Sequence, residues 1–156
     1  MSLVVDASVA FKWFLRDESH SSQAVAILQD RATLIAPDFL IAEVCNAAWR
    51  SVRLGRISQA QVNEIAANLP SFFDALVSAA ELAPRAVTIA GQIDRPVYDC
   101  LYLALAEAEQ ASLVTADLEL LGKVRATAWE RWAISLSEYG TAGAPASYGQ
   151  DTSGPG

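Results

Sequence analysis

Histidine is almost missing from this sequence, which holds a single one, His20, in 156 residues. Chemistry built on several histidines, as bases or as a metal cluster, is therefore excluded. His20 itself stands near an expected helix start, where a surface position is expected. Cysteine is nearly as scarce. Cys45 and Cys100 each fall inside an apolar helical pattern, without CxxC spacing or the density of a disulfide framework, and read as small buried hydrophobes. No uninterrupted apolar run approaches the length needed to span a bilayer. The opening Met1 to Asp6 has no basic stretch before an apolar one, so it does not read as a secretory signal, and a cytoplasmic protein is expected. There is no GxGxxG, and Gly122-Lys123 is followed by Val124 where a phosphate-binding loop needs Ser or Thr.

Basic residues are also short: 11 Lys and Arg face 18 Asp and Glu, a net charge of −7. That balance argues against gripping nucleic acid through a broad basic surface. It does not exclude a nuclease, because carboxylates that converge on divalent cations reverse the local field where a phosphate must sit. With 53% apolar residues, the chain can close one substantial core and is too short for two ordinary domains.

Leu3-Val4-Val5 reads as a buried strand ending at Asp6, and Ser8 as the start of a short helix over Val9 to Leu15. Ser19 to Ser22 offers caps for a helix carrying Ala24, Val25, Ile27 and Leu28. Thr33-Leu34-Ile35 is a second strand, and Pro37 with Asp38 opens a helix to about Leu54, stopped by Gly55. Ser58 opens another helix, which Pro70 ends. A weakly patterned stretch from Phe72 to Ser78 precedes a helix over Ala79 to Ile93. Pro96 begins a helix over Val97 to Glu109, Ser112 to Thr115 is a strand running up to Asp117, and a short helix through Leu120, Leu121 and Val124 leads to a last strand near Ala133 to Leu136. Alternating strands and helices indicate an α/β domain with a mostly parallel sheet over residues 1–139. Residues 140–156 hold five of the eight glycines and too little apolar surface to offset ordering, so a disordered tail is expected.

Four acids need explaining. Asp6 and Asp117 follow apolar strands, and in parallel α/β sheets the carboxyl ends of the strands form the functional edge. Either could equally be a turn or cap aspartate. Asp99 lies in a helix apolar nearly all round, so it needs a cation, a hydrogen-bond network or a wet cleft; it could also be a first-turn acid favoured by the helix dipole. Glu43, Asn46, Arg50 and Arg53 recur at steps of three, four and three, on one helical face. That face is either a solvated stripe or a cleft wall with Glu43 as metal ligand, Asn46 orienting ligand or substrate, and Arg50 near phosphate. Carboxylates clustered without compensation raise one another's pKa, so such a set is normally held by Mg²⁺ or Mn²⁺. Phosphodiester hydrolysis is the chemistry such a metal supports, with no histidine or covalent nucleophile.

The segments Val4-Val5-Asp6-Ala7-Ser8, Ala42-Glu43-Val44-Cys45-Asn46, Tyr98-Asp99-Cys100-Leu101-Tyr102-Leu103-Ala104 and Thr115-Ala116-Asp117 resemble, in order and spacing, the acidic signature of PIN domains, and in particular of the VapC-type toxins of toxin–antitoxin pairs. Phe11 to Leu15, followed by Asp17 and Glu18, adds to the likeness. The resemblance implies a PIN-like three-layer α/β/α sandwich and a Mg²⁺ or Mn²⁺ site at Asp6, Glu43, Asp99 and Asp117, with Ser8 and Thr115 supporting the acids. It implies endonucleolytic cleavage of RNA. It also implies a homodimer, joined by a VapB-type antitoxin in a heterotetramer or larger assembly, with the antitoxin's C-terminal segment across the active-site groove. Leu118-Glu119 departs from the pattern, since many relatives carry a basic residue there. Two other readings remain: a catalytically degenerate PIN fold kept as a binding module, and a phosphatase with Asp6 as nucleophile. The phosphatase reading lacks a second acid two residues on, where Ser8 stands.

Overall fold

In the computed structural model, which describes residues 1–15 and 19–140, five strands form one parallel sheet in the order β3-β2-β1-β4-β5. They are β1 (Ser2–Val5), β2 (Thr33–Pro37), β3 (Ala75–Val77), β4 (Ser112–Thr115) and β5 (Ala133–Ser135). Helices α1 (Ala7–Ala10), α2 (Ser21–Gln29), α3 (Phe39–Arg53), α4 (Gln59–Asn68), α5 (Ala79–Ile93), α6 (Val97–Glu109) and α7 (Leu118–Val124) complete the α/β sandwich. Asp17, Glu18 and the Gly-rich segment from 141 onward lie outside the described residues.

The strand order decides where a site can form. From β1 in the middle, the chain builds β2 and β3 on one side, then crosses to build β4 and β5 on the other. The switch in direction therefore falls between β1 and β4, which opens a crevice at their carboxyl ends. Val5 pairs with Val114 at that end. The residues that follow, Asp6 and Asp117, are delivered to the same crevice.

Helix α6 packs against β1, β2 and β4 and along α5. Its seven consecutive residues from Cys100 to Ala106 are all buried, as an apolar pattern without a polar face requires. Asp99 sits in the first turn of this helix, at the crevice end. In α3 the buried stripe is Leu40, Val44, Ala48 and Ser51, which leaves Glu43, Asn46 and Arg50 on other faces. Ser58 closes a capping box with Gln61 at the start of α4.

Several local expectations change. The stretch from Phe72 to Ser78 contains β3, an edge strand only three residues long, too short to show an alternation. α1 stops at Ala10 and continues as a 3-10 turn over Phe11–Trp13. His20 occupies the N-cap position of α2, in the left-handed region at φ 61° and without a side-chain capping bond, and Ser21 bonds the Leu15 carbonyl. Pro37 closes β2, so α3 begins at Phe39. Cys100 is fully buried, whereas Cys45 is only half-buried.

Candidate active site

Asp6 carries the pairing of β1 one residue further, its N–H donating to the Val114 carbonyl at 3.1 Å. It holds the N-cap position of α1, yet its side chain caps nothing. Oδ2 instead accepts from Ser8 Oγ at 2.8 Å and from Thr115 Oγ1 at 2.5 Å. Each hydroxyl also accepts: Ser8 Oγ from the Ala116 N–H at 3.1 Å and Thr115 Oγ1 from the Asp117 N–H at 3.0 Å. The two hydroxyls thus bolt Asp6 to the β4–α7 turn. Burial raises the Asp6 pKa against the pull of these two bonds, and the charges of Asp99 and Asp117 raise it further.

Asp117 does two jobs. Its Oδ1 accepts from the Glu119 and Leu120 N–H groups at 2.9 and 3.0 Å, capping α7, while Oδ2 points at the crevice. There it meets Arg95, whose Nη2 donates to Asp117 Oδ2 at 2.9 Å and to Asp99 Oδ2 at 2.6 Å. Nη1 of the same guanidinium donates to Glu119 Oε2 at 2.8 Å. Burial raises the Asp99 pKa, Arg95 opposes that, and the Asp117 and Glu119 charges add to the rise.

Glu43 reaches the crevice from α3. Its Oε1 accepts from the hydroxyl of Tyr102 at 2.7 Å. Burial pushes its pKa up to about 7, opposed by the Tyr102 bond and reinforced by the charges of Asp6 and Asp99. Beside it, Phe39, Ala42, Asn46, Arg50 and Tyr98 line a cleft of about 480 Å³, so the polar stripe predicted on this helix faces a cavity as far as Arg50. Arg53 leaves the stripe: its guanidinium lies over the Trp49 ring, 5.3 Å from the centroid. Phe39 and Tyr98 form an aromatic pair at the cleft wall, with centroids 6.1 Å apart.

The fold therefore gathers Asp6, Asp99 and Asp117 at one end of β1 and β4, with Glu43 near enough to share their field. Among the described residues, no group of three or more His, Cys, Asp or Glu is arranged as a preformed metal cluster. Each acid is instead engaged locally, by hydroxyls, by Tyr102 or by Arg95. The donor set nevertheless suits a hard divalent cation. It is oxygen-only, the charges of Asp99 and Asp117 raise the pKa of Asp6 and that of Asp117 raises Asp99, and a guanidinium stands in as the positive charge between two of them. A thiol nucleophile is absent from this end of the sheet in reactive form, since burial pushes Cys100 up to about 11.

Arg95, Tyr102 and Glu119 were not legible as site residues. The only sequence signal for Arg95 is its place four residues before Asp99, an ordinary charge-pair spacing. Tyr102 is three residues beyond Asp99 in an apolar run and looks like core, which it also is.

Comparison with known proteins agrees with this architecture. The profile of the PIN domain family matches residues 3–125. Ribonuclease VapC3 of Pyrobaculum aerophilum is 34% identical over 125 residues, covering 79% of this chain and 95% of that protein. The crystal structure of PAE2754 from Pyrobaculum aerophilum superposes with a TM-score of 0.65 at 26% identity, over 88% of this chain and 92% of the other. A chain of a toxin–antitoxin complex from Klebsiella pneumoniae shares the fold at a TM-score of 0.63 and 15% identity, over 86% and 98% of the two chains. With the family profile spanning most of its length and a relative 34% identical over most of both chains, this chain belongs to the PIN domain family.

Proposed function

We propose that this chain is a Mg²⁺- or Mn²⁺-dependent endoribonuclease that hydrolyses RNA phosphodiester bonds and serves as the toxin of a VapBC-type pair, restrained by a VapB-type antitoxin. The observation that carries the catalytic reading is the convergence of Asp6, Asp99 and Asp117, remote in sequence, on one crevice where a single guanidinium bridges two of them. The VapC name of a relative 34% identical supports RNA as the substrate. The antitoxin partner and a homodimeric assembly rest on the likeness to VapC-type toxins.

Asp6, Glu43, Asp99 and Asp117 would hold the cation. When bound, it supplies Lewis acidity to water and phosphate and neutralises charge that builds on the leaving oxygen. Ser8 and Thr115 orient Oδ2 of Asp6 and keep it from turning away. Tyr102 fixes Oε1 of Glu43 and so sets the direction from which this carboxylate meets the crevice. Asn46 and Arg50 offer an amide and a cation to the RNA backbone along the cleft, and the exposed Tyr98 ring offers a base a face to stack on.

The test is cleavage of total RNA by the purified protein with Mn²⁺, alongside Asp6→Asn and Asp99→Asn variants shown to be folded by circular dichroism. Both variants are expected to lose cleavage. Cleavage retained by both would exclude the mechanism, and a phosphoryl group trapped on Asp6 without RNA cuts would favour a phosphatase.

A further inference from the structure

Arg95 is built into the crevice more deliberately than a surface ion pair. Its side chain is only 13% exposed, and it faces three carboxylates, Asp99, Asp117 and Glu119, within 2.6–2.9 Å. Its Nε is buried without a partner among the described residues, a cost that the three ion pairs must offset. It immediately precedes Pro96, the N-cap of α6, so the guanidinium is tethered within reach of the acids that α6 and α7 present.

Nη2 donates to one oxygen each of Asp99 and Asp117, two of the acids that would hold a divalent ion in the proposed site. A guanidinium keeps its charge at any working pH, so it cannot step aside by losing a proton. Two cations on one pair of oxygens would repel at close range. From this we infer that Arg95 is an internal competitor for the divalent cation: it holds Asp99 and Asp117 in the metal-free protein, Glu119 holds Arg95 there, and cation entry requires the guanidinium to leave both aspartates. This inference rests on the proposed metal site and adds to it a residue that sets how tightly the metal binds.

Calorimetric titration of Mn²⁺ into the full chain tests it with no reference to activity. Arg95→Gln is expected to bind Mn²⁺ about tenfold more tightly than wild type, equivalent to about 1.4 kcal/mol. Its metal-free form should melt lower, since three carboxylates lose their cation. Arg95→Lys, which keeps the charge but not the fork, is expected to fall between the two and serves if the glutamine variant does not fold. A crystal structure of wild type with Mn²⁺ should show the guanidinium off Asp99 and Asp117. Affinity in both variants no tighter than wild type, or a guanidinium still on both aspartates beside the bound ion, overturns the inference and leaves the nuclease reading standing. No Mn²⁺ binding by any of the three proteins overturns both together.

Discussion

The hydroxyl of Tyr102 donates to Oε1 of Glu43 at 2.7 Å, joining the core helix α6 to the cleft helix α3 across 59 positions of sequence. Tyr102 is fully buried and Glu43 is not, so the tyrosine is the fixed member and the carboxylate the positioned one. Tyr102→Phe should cost about 1.5–3 kcal/mol of stability, the range for a lost hydrogen bond to a charged group, read by urea unfolding. The same change removes the one hydrogen bond that draws the Glu43 pKa down. If Glu43 acts as an ionised group, the rising limb of the RNA-cleavage pH profile should move to higher pH; a profile that merely scales down without moving would reduce Tyr102 to a packing residue.

Thr115 is the second fixed point, with 0% exposure and bonds to both Asp6 and the Asp117 backbone. Thr115→Val keeps the shape and deletes the hydroxyl, leaving a buried carboxylate oxygen short of a donor. A loss of about 1–3 kcal/mol is expected, with Thr115→Ser recovering most of it. Chemical denaturation of the three proteins measures this, and equal stabilities would show that Ser8 alone secures Asp6.

Protons should stabilise the metal-free protein. Glu43 has a folded pKa of about 7 against an ordinary 4.5, and Asp6 and Asp99 are raised in the same direction. A carboxyl raised on folding binds its proton more tightly in the native state. Its contribution is therefore fully present below the unfolded pKa and is lost as pH climbs through the folded one. In EDTA, the melting temperature is expected to be several degrees higher at about pH 5.5 than at about pH 7.5. Glu43→Gln should flatten that slope. A melting temperature that rises across this interval in wild type would contradict the electrostatic picture of the crevice.

Arg50 is exposed on the cleft wall and forms none of the ties that fix the acids. Arg50→Ala should leave the melting temperature within about 1 °C, as expected for an exposed site away from caps and core. KM for an RNA oligonucleotide should rise several-fold with kcat little changed, the pattern of lost uniform binding. Steady-state kinetics would expose a different role if kcat fell instead.

Much of the fold was readable because its elements are long or strongly patterned. α5 and α6 begin and end where periodicity and Pro96 placed them, and β4 matches its apolar run from Ser112 to Thr115. β3 was missed because three residues at a sheet edge carry no alternation, and its strand character comes from pairing with β2. Asp6, Asp99 and Asp117 stood out by chemical mismatch, at the end of an apolar strand or inside an apolar helix, and Glu43 by its place in a polar stripe along one helical face. Their supports did not, because Arg95 and Tyr102 look ordinary in their own segments.

The sequence by itself determined the periodicities, the breaks between elements, the buried character of α6 and the positions where a carboxylate interrupts apolar surroundings. These are local properties, set by side-chain spacing of two or 3.6 residues and by capping chemistry. Tertiary structure alone decided that β1 lies beside β4, that Ser8 and Thr115 both turn to Asp6, that Tyr102 meets Glu43 and that Arg95 fills the gap between Asp99 and Asp117. Contacts across as many as 109 positions depend on strand order and helix packing, which are settled by burying the whole apolar surface at once and leave no imprint in any short stretch of chain.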